Sequence, residues 1–181
     1  SLPKLLEELK NLQLNIIVIL EKSDFDTIES IKNFNCNLVY QSNKGYGNAL
    51  IDGINSVKTD YLCIFNADGS FDPKYLKDML KKCEDGQDFV FASRYLPDGG
   101  TDDDTILTSF GNYAFSLIGK IFFSLKLSDI LFTYLLGKTN SFKKLNLKSQ
   151  DFGLCVEMPI KAKKFQMKYT EVPSYERRRI A

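Results

Sequence analysis

The sequence predicts an α/β fold with a mostly parallel, helix-covered sheet, on three observations. Short apolar runs rich in β-branched and aromatic residues alternate with helical patterns. The clearest such run, Tyr61 to Phe65, stops abruptly at Asn66-Ala67-Asp68-Gly69-Ser70 and turns through Asp72-Pro73 toward a helix, as a buried parallel strand does. No repeat, low-complexity segment or linker interrupts the 181 residues, which suffice for one domain with a sizeable core.

Apolar residues at helical spacing predict helices over Pro3 to Leu12, Asp24 to Asn33, Gly45 to Val57 and Pro73 to Lys82. Between them, Leu14 to Leu20, Asn37 to Tyr40, Tyr61 to Phe65 and Asp88 to Ala92 read as strands. A polar loop, Pro97 to Asp104, leads into a Phe-, Leu- and Ile-rich run over Phe110 to Leu136. Lys120, Lys126 and Asp129 make that run a poor membrane span. Its Phe115, Ile118, Phe122 and Leu125 recur at helical spacing. The stripe is expected to pack against the domain's own core; the alternative is a membrane surface, with Lys120 and Lys126 reaching the head groups. A helical pattern over Phe152 to Lys164 and a strand-like Met167 to Val172 follow.

Composition excludes several function classes. There are 24 Lys and Arg against 23 Asp and Glu, a net charge of +1, so no basic face for nucleic acid is indicated. The absence of His removes His-based triads and His metal ligands, leaving carboxylates, Lys, Arg, Tyr, thiols or a metal for any catalysis. Cys36, Cys63, Cys83 and Cys155 form no Cys-X-X-Cys pair, and several sit in apolar runs as core residues do. No signal peptide is visible, which favours a reducing, cytoplasmic setting.

The run ending at Asp68 carries the chemistry. A parallel strand delivers that carboxylate to its carboxyl end, where open α/β sheets place ligands. Asp68 is therefore a candidate to hold a divalent cation against a phosphorylated substrate; read alone, a strand-to-Asp-Gly junction is more often a plain turn. Asn43-Lys44-Gly45-Tyr46-Gly47 lies between a strand and a helix, where free amides and a Lys favour phosphate. Arg94 follows an apolar strand, which sets it near the sheet edge that carries Asp68.

Asn66-Ala67-Asp68-Gly69-Ser70-Phe71-Asp72-Pro73 resembles the Asp-X-Asp segment of family-2 glycosyltransferases of the GT-A fold, in the branch of dolichyl-phosphate mannose synthase and other polyprenyl-phosphate sugar transferases. The similarity runs from Leu2 almost to Arg179: Leu2 to Leu9 resembles the first helix, and Ile17 to Thr27 the Val-Val-Asp-Asp-Gly-Ser strand and turn. Asn43 to Ala49, Ser93-Arg94-Tyr95 and Glu171-Val172-Pro173 follow in the family's order. The family's opening Ile-Val-Ile-Pro-X-Tyr-Asn-Glu strand has no counterpart, so the chain reads as amino-terminally truncated, with an exposed sheet edge where a central strand is lacking.

The resemblance implies transfer of a hexose, with inversion, from a UDP- or GDP-linked donor to a polyprenyl phosphate or a saccharide, in cell-envelope polysaccharide or glycolipid synthesis. It implies Mg²⁺ or Mn²⁺ as cofactor, held by Asp68 with Ser70 as a further oxygen ligand. Asn66 stands where the family usually has Asp. Glu21, Lys44, Gly45, Asn66 and Asp68 would meet the nucleotide sugar; Arg94 and Ser109 would bind the acceptor, with Thr105 in place of a second Arg. Asp129 matches the Asp of an Asp-X-X-Ser-Gly-Phe segment, with Thr133 replacing the Gly. A hydroxyl acceptor would need Asp129, or one of Asp102, Asp103 and Asp104, as base; a phosphate acceptor would not. The implied location is cytoplasmic, or peripheral at the inner face of a membrane. The departures at Asn66, Glu21 and Thr105 support a second reading, a non-catalytic or truncated binding module; a nucleotidyltransferase ranks last because its Gly-rich basic loop is not visible.

Overall fold

A helix followed by two parallel strands joined through a second helix begins the structure, a computed structural model that describes residues 1–180 apart from the side chain of Ile106. Helix α1 (Leu2–Leu9), with Pro3 in its first turn, is continued by a 3-10 turn over Lys10–Leu12, and Gln13 takes a left-handed conformation that ends it. Strand β1 (Ile17–Leu20), helix α2 (Phe25–Ile31) and strand β2 (Asn37–Tyr40) form a βαβ unit, with Asp24 capping α2 through the Thr27 amide. Helix α3 (Tyr46–Ser56) packs its Gly53 against Ile19 of β1, where a Cβ would lie 2.6 Å from the Ile19 Cδ1. From its other side Ile54 joins the core around Leu62 and Ile64.

Strand β3 (Tyr61–Ile64), a 3-10 turn and helix α4 (Leu76–Glu84) lead to β4 (Phe89–Ser93), which is buried along its whole length. After the short β5 (Gly100–Thr101) come α5 (Ile106–Phe123), β6 (Leu135–Lys138), α6 (Thr139–Leu145), α7 (Leu154–Lys164), β7 (Tyr169–Pro173) and β8 (Tyr175–Glu176). The strands form three sheets: β1-β2, β3-β6-β4-β7 and β5-β8. Three of the five pairings are parallel, and the two made by β6 are antiparallel. The strands that alternate with helices are thus shared among three sheets. Among the described residues, β1 and β3 each keep one edge without a strand partner.

The apolar run over Phe110 to Leu136 divides into different elements, and the direction of its stripe is corrected. It is a helix only to Phe123, because Ser124 enters a left-handed cap, and Leu135 and Leu136 belong to a strand. Its apolar stripe faces outward: Phe115, Ile118 and Phe122 are exposed, and of the four stripe residues only Leu125, beyond the helix, is core. The inward face carries Asn112, Ser116 and Gly119 instead. A Cβ on Gly119 would come within 3.2 Å of Leu125 and 3.3 Å of Ile130, so small residues let this helix lie close to the chain that follows it.

The expected core cysteines divide: Cys83 and Cys155 are buried, Cys36 and Cys63 half-buried, and all four are free thiols. Beneath the loop after β3, Phe65, Phe71, Phe132 and Tyr134 form an aromatic cluster, with Phe71 and Tyr134 stacked at 4.7 Å. The Tyr134 hydroxyl donates to the Asp72 carbonyl at 2.9 Å, which fixes the far end of that loop.

The turn between α6 and α7 is held by Glu157, whose carboxylate accepts from the Lys148 and Ser149 amides and pairs with Lys161. Burial opposes the charge, but the Lys161 ammonium and these amides outweigh it and pull the carboxyl down to about 2 from its ordinary 4.5. A depressed folded-state value means stabilisation present above pH 4.5 and lost as pH falls toward 2. Glu157→Gln is expected to cost about 2 kcal/mol at pH 7, and chemical denaturation should show that difference shrinking from pH 5 to pH 3.

Candidate active site

At the carboxyl end of β3 the Asp68 side chain closes a turn on itself. Its Oδ1 accepts from the Ser70 amide at 3.0 Å and the Ser70 hydroxyl at 2.6 Å. Gly69 supplies the positive φ of 77° that the turn needs. Ser70 is buried and its hydroxyl donates to Asp68, so it orients the carboxylate.

The segment after β8 straps this turn from outside. Arg177 and Ile180 donate their amides to the Ser70 and Asp68 carbonyls at 2.8 Å. The Arg177 guanidinium donates to the Gly69 and Phe71 carbonyls and to both Glu8 oxygens on α1. Arg179 lies between two acids, its Nε 2.8 Å from Asp103 Oδ2 and 3.6 Å from Asp68 Oδ2. This strap was invisible in the pattern of apolar residues; its only sequence signal is the Arg177-Arg178-Arg179 run.

The residues expected at the nucleotide do converge in part. Glu21, at the end of β1, pairs with Lys44 at 3.3 Å. Gly45 caps α3 with a φ of 125°, and a Cβ there would meet the Gln150 carbonyl at 2.4 Å. Of the amides expected to cradle phosphate, that of Gly47 is engaged: it and the neighbouring Asn48 amide donate to the Gln150 carbonyl at 3.0 and 3.3 Å. The Lys44 ammonium beside them is exposed.

Arg94 departs most from expectation. Its guanidinium donates from Nε and Nη2 to the two oxygens of Asp129, at 2.7 and 3.0 Å, and from Nη1 to Glu176 at 3.0 Å. Asp104 lies 3.4 Å from the same Nη1. Its Cζ sits over the Phe132 ring at 4.6 Å. Burial works against the Arg94 charge, yet the Asp129 hydrogen bonds and the Asp129 and Glu176 charges outweigh it and raise the guanidinium above its ordinary pKa. Arg94 is therefore committed to internal carboxylates, and its expected place on the acceptor phosphate is corrected for this conformation. Asp129 is fully buried in the same pairing and has no access to an acceptor hydroxyl. Ser109 lies one turn before Asn112 on α5; the Asn112 amide donates to Tyr95 and Asp104 beside this cluster.

A metal would find one carboxylate here. Among the described residues no group of three or more acidic or Cys side chains is arranged to hold an ion. The Asp68 oxygen is a hard ligand of the type Mg²⁺ and Mn²⁺ take, and Asn66 brings an amide oxygen two residues earlier. The set fits a cation that completes its shell with donor phosphates and water.

The profile of Glycosyl transferase family 2 matches residues 1–146. The chain belongs to that family. It is 28% identical over 165 residues to glycosyltransferase AglJ of Haloferax volcanii, across 88% of this chain and 53% of that protein. The chain thus spans about half the length of this curated relative. Among solved structures it superposes on Mycobacterium tuberculosis glucosyl-3-phosphoglycerate synthase: with Mn²⁺, UDP and glucosyl-3-phosphoglycerate bound, the TM-score is 0.74 at 12% identity, over 99% of this chain and 66% of that one. The UDP complex of the same synthase gives a TM-score of 0.75 at 13% identity, over 100% and 67%. These likenesses establish the GT-A fold of this glycosyltransferase-family chain.

The Arg94 pairing generates a stability prediction. Arg94→Ala or Asp129→Ala leaves a buried charge unpaired, at an expected cost of about 3–5 kcal/mol in chemical denaturation. In a double-mutant cycle the two losses should fall clearly short of additive.

Proposed function

We propose that this chain carries the donor site of a glycosyltransferase that moves a hexose from a UDP- or GDP-linked donor, with inversion, to a polyprenyl phosphate or a saccharide. The observation that carries the reading is Asp68, fixed by Ser70 with its second oxygen turned to the surface strap, on the strand end where the fold places its ligand. Glu21 and Lys44 would meet the nucleoside and its phosphates, and Asn66 and Asp68 the metal and diphosphate. A bound Mg²⁺ or Mn²⁺ supplies positive charge against the leaving diphosphate. Arg179, already on Asp68 and Asp103, must yield its place or turn its guanidinium to the phosphates as they bind.

A phosphate acceptor would need no base; a hydroxyl acceptor would need one of Asp102, Asp103 and Asp104, because the Asp129 carboxylate is buried. Lipid-linked acceptors also give α5 a use. Leu107, Phe110, Tyr113, Ile118, Ile121 and Phe122 are all exposed on this helix, with Phe122 74% accessible. Lys120 and Lys126 flank the patch. No helix among the described residues is long and apolar enough to cross a membrane, so the fit is to an interfacial helix lying on a bilayer.

Calorimetry with UDP- and GDP-sugars tests the donor site. Binding that requires Mn²⁺ is expected, with a loss of at least about tenfold in Asp68→Ala. Folded protein that binds neither donor with or without Mn²⁺ would sink the reading and leave a non-catalytic module. For the membrane face, Phe110→Asp and Phe122→Asp together are expected to abolish co-sedimentation with anionic phospholipid vesicles while leaving donor binding intact.

A further inference from the structure

The loop that opens α3 straddles the two sheets. Lys44 reaches Glu21 at the end of β1, whereas the Tyr46 hydroxyl donates to the Thr133 Oγ1 at 2.9 Å, just before β6. Ile64 pairs with Leu135, so the same antiparallel register carried two residues further sets Thr133 opposite Asn66. Tyr46 therefore stands on the β3 side of the site, next to the turn that holds Asp68. Burial holds its phenol above the ordinary pKa, and the Asp68 carboxylate is near enough to add to the effect.

Against Tyr46 lies Phe152, with ring centroids 4.7 Å apart and planes inclined by 18°. Phe152 is 72% exposed, and its outward face meets solvent. The ring is nonetheless held in place. Gly47 and Asn48 bind the Gln150 carbonyl, and the Gly153 amide donates to Asp151 Oδ1 at 2.8 Å, so both loops that carry the stack are tied down. Neither the metal, the nucleotide contacts nor the aromatic cluster under Asp68 uses this pair.

We propose that the outward face of Phe152, backed by Tyr46, is the platform on which the donor's hexose ring rests. The chemistry is that of an electron-rich aromatic face against the C–H bonds on one side of a pyranose, with polar groups at the rim for the hydroxyls. Exposed Asp151 brings such a group. Position selects the hexose over the base: Glu21 and Lys44 mark the nucleoside end on the β1-β2 sheet, and the aromatic pair lies beyond them on the Asp68 side. A stack fixed in advance spares the ligand the ordering cost of a mobile side chain.

This inference rests on the glycosyltransferase reading, and one set of titrations separates the two. UDP-glucose, UDP, GDP-mannose and GDP are each titrated, with Mn²⁺ present, into wild type, Phe152→Ala and Phe152→Tyr. Phe152 is exposed, so its replacement leaves the fold intact. Phe152→Ala is expected to weaken the sugar nucleotide that wild type binds by about tenfold. The matching bare nucleotide should change by less than about twofold, and Phe152→Tyr should restore affinity. Equal weakening of nucleotide and nucleotide sugar would assign the stack to the base and overturn the platform, as would no change in either. Wild type that binds none of the four defeats the glycosyltransferase reading and the platform with it.

Discussion

A single guanidinium is shared by carboxylates from three distant stretches of the chain, and the far wall of the site stands on that sharing. Arg94 leaves the end of β4, Asp129 comes from the segment before β6, Glu176 from β8, and Asp104 from the loop entering α5. Glu176 also accepts from Thr101, which ties β5 to β8, and Tyr95 and Asn112 complete the cluster around Asp104. Removing a charge of either sign from such a place leaves its partners desolvated and unpaired, so the elements are bound to one another in all-or-none fashion. The strap of residues 177–180 begins one residue after Glu176, and its course over Asp68 follows from where Arg94 anchors that residue.

Two layers of support meet at Asp68. From below, the aromatic cluster of Phe65, Phe71, Phe132 and Tyr134 fixes both ends of the loop, and Phe132 also backs the Arg94 guanidinium. From outside, Arg177 ties the loop's carbonyls to Glu8 on the first helix. A carboxylate on a free loop would gain little by preorganisation; this one is held by its own turn, a rigid floor and a charged strap. The opposite rim is built differently, from two glycine-bearing loops locked backbone to backbone through Gln150.

Helix α5 shows how a surface can invert the usual arrangement. Its inward face is Asn112, Ser116 and Gly119, and its outward face is Phe, Leu, Ile and Tyr. Small residues permit a close approach to Leu125 and Ile130, while the large ones stay in contact with solvent. Among the described residues, this outward apolar face is not packed against the core.

The sequence by itself determined the order of elements through β4, the strand that ends at Asp68, the family, and the helix-then-strand close. Those features are local: period, turn chemistry and a run of short motifs are read within a few residues. Strand β6 was missed because Leu135 and Leu136 continue an apolar run that has no periodicity to separate strand from helix, and its antiparallel pairing to β3 and β4 is a long-range event. The direction of the α5 stripe was also closed to the sequence, since periodicity shows that a face exists and not what covers it. Only the tertiary structure decided that Arg94 faces Asp129 and Glu176 inside the protein, that Ser70 spends its proton on Asp68, and that Gly47 and Asn48 give their amides to Gln150. In each case the deciding partner lies on another segment or on the far side of a turn. A charged or polar group takes whichever partner the fold leaves nearest, which residue type alone does not reveal.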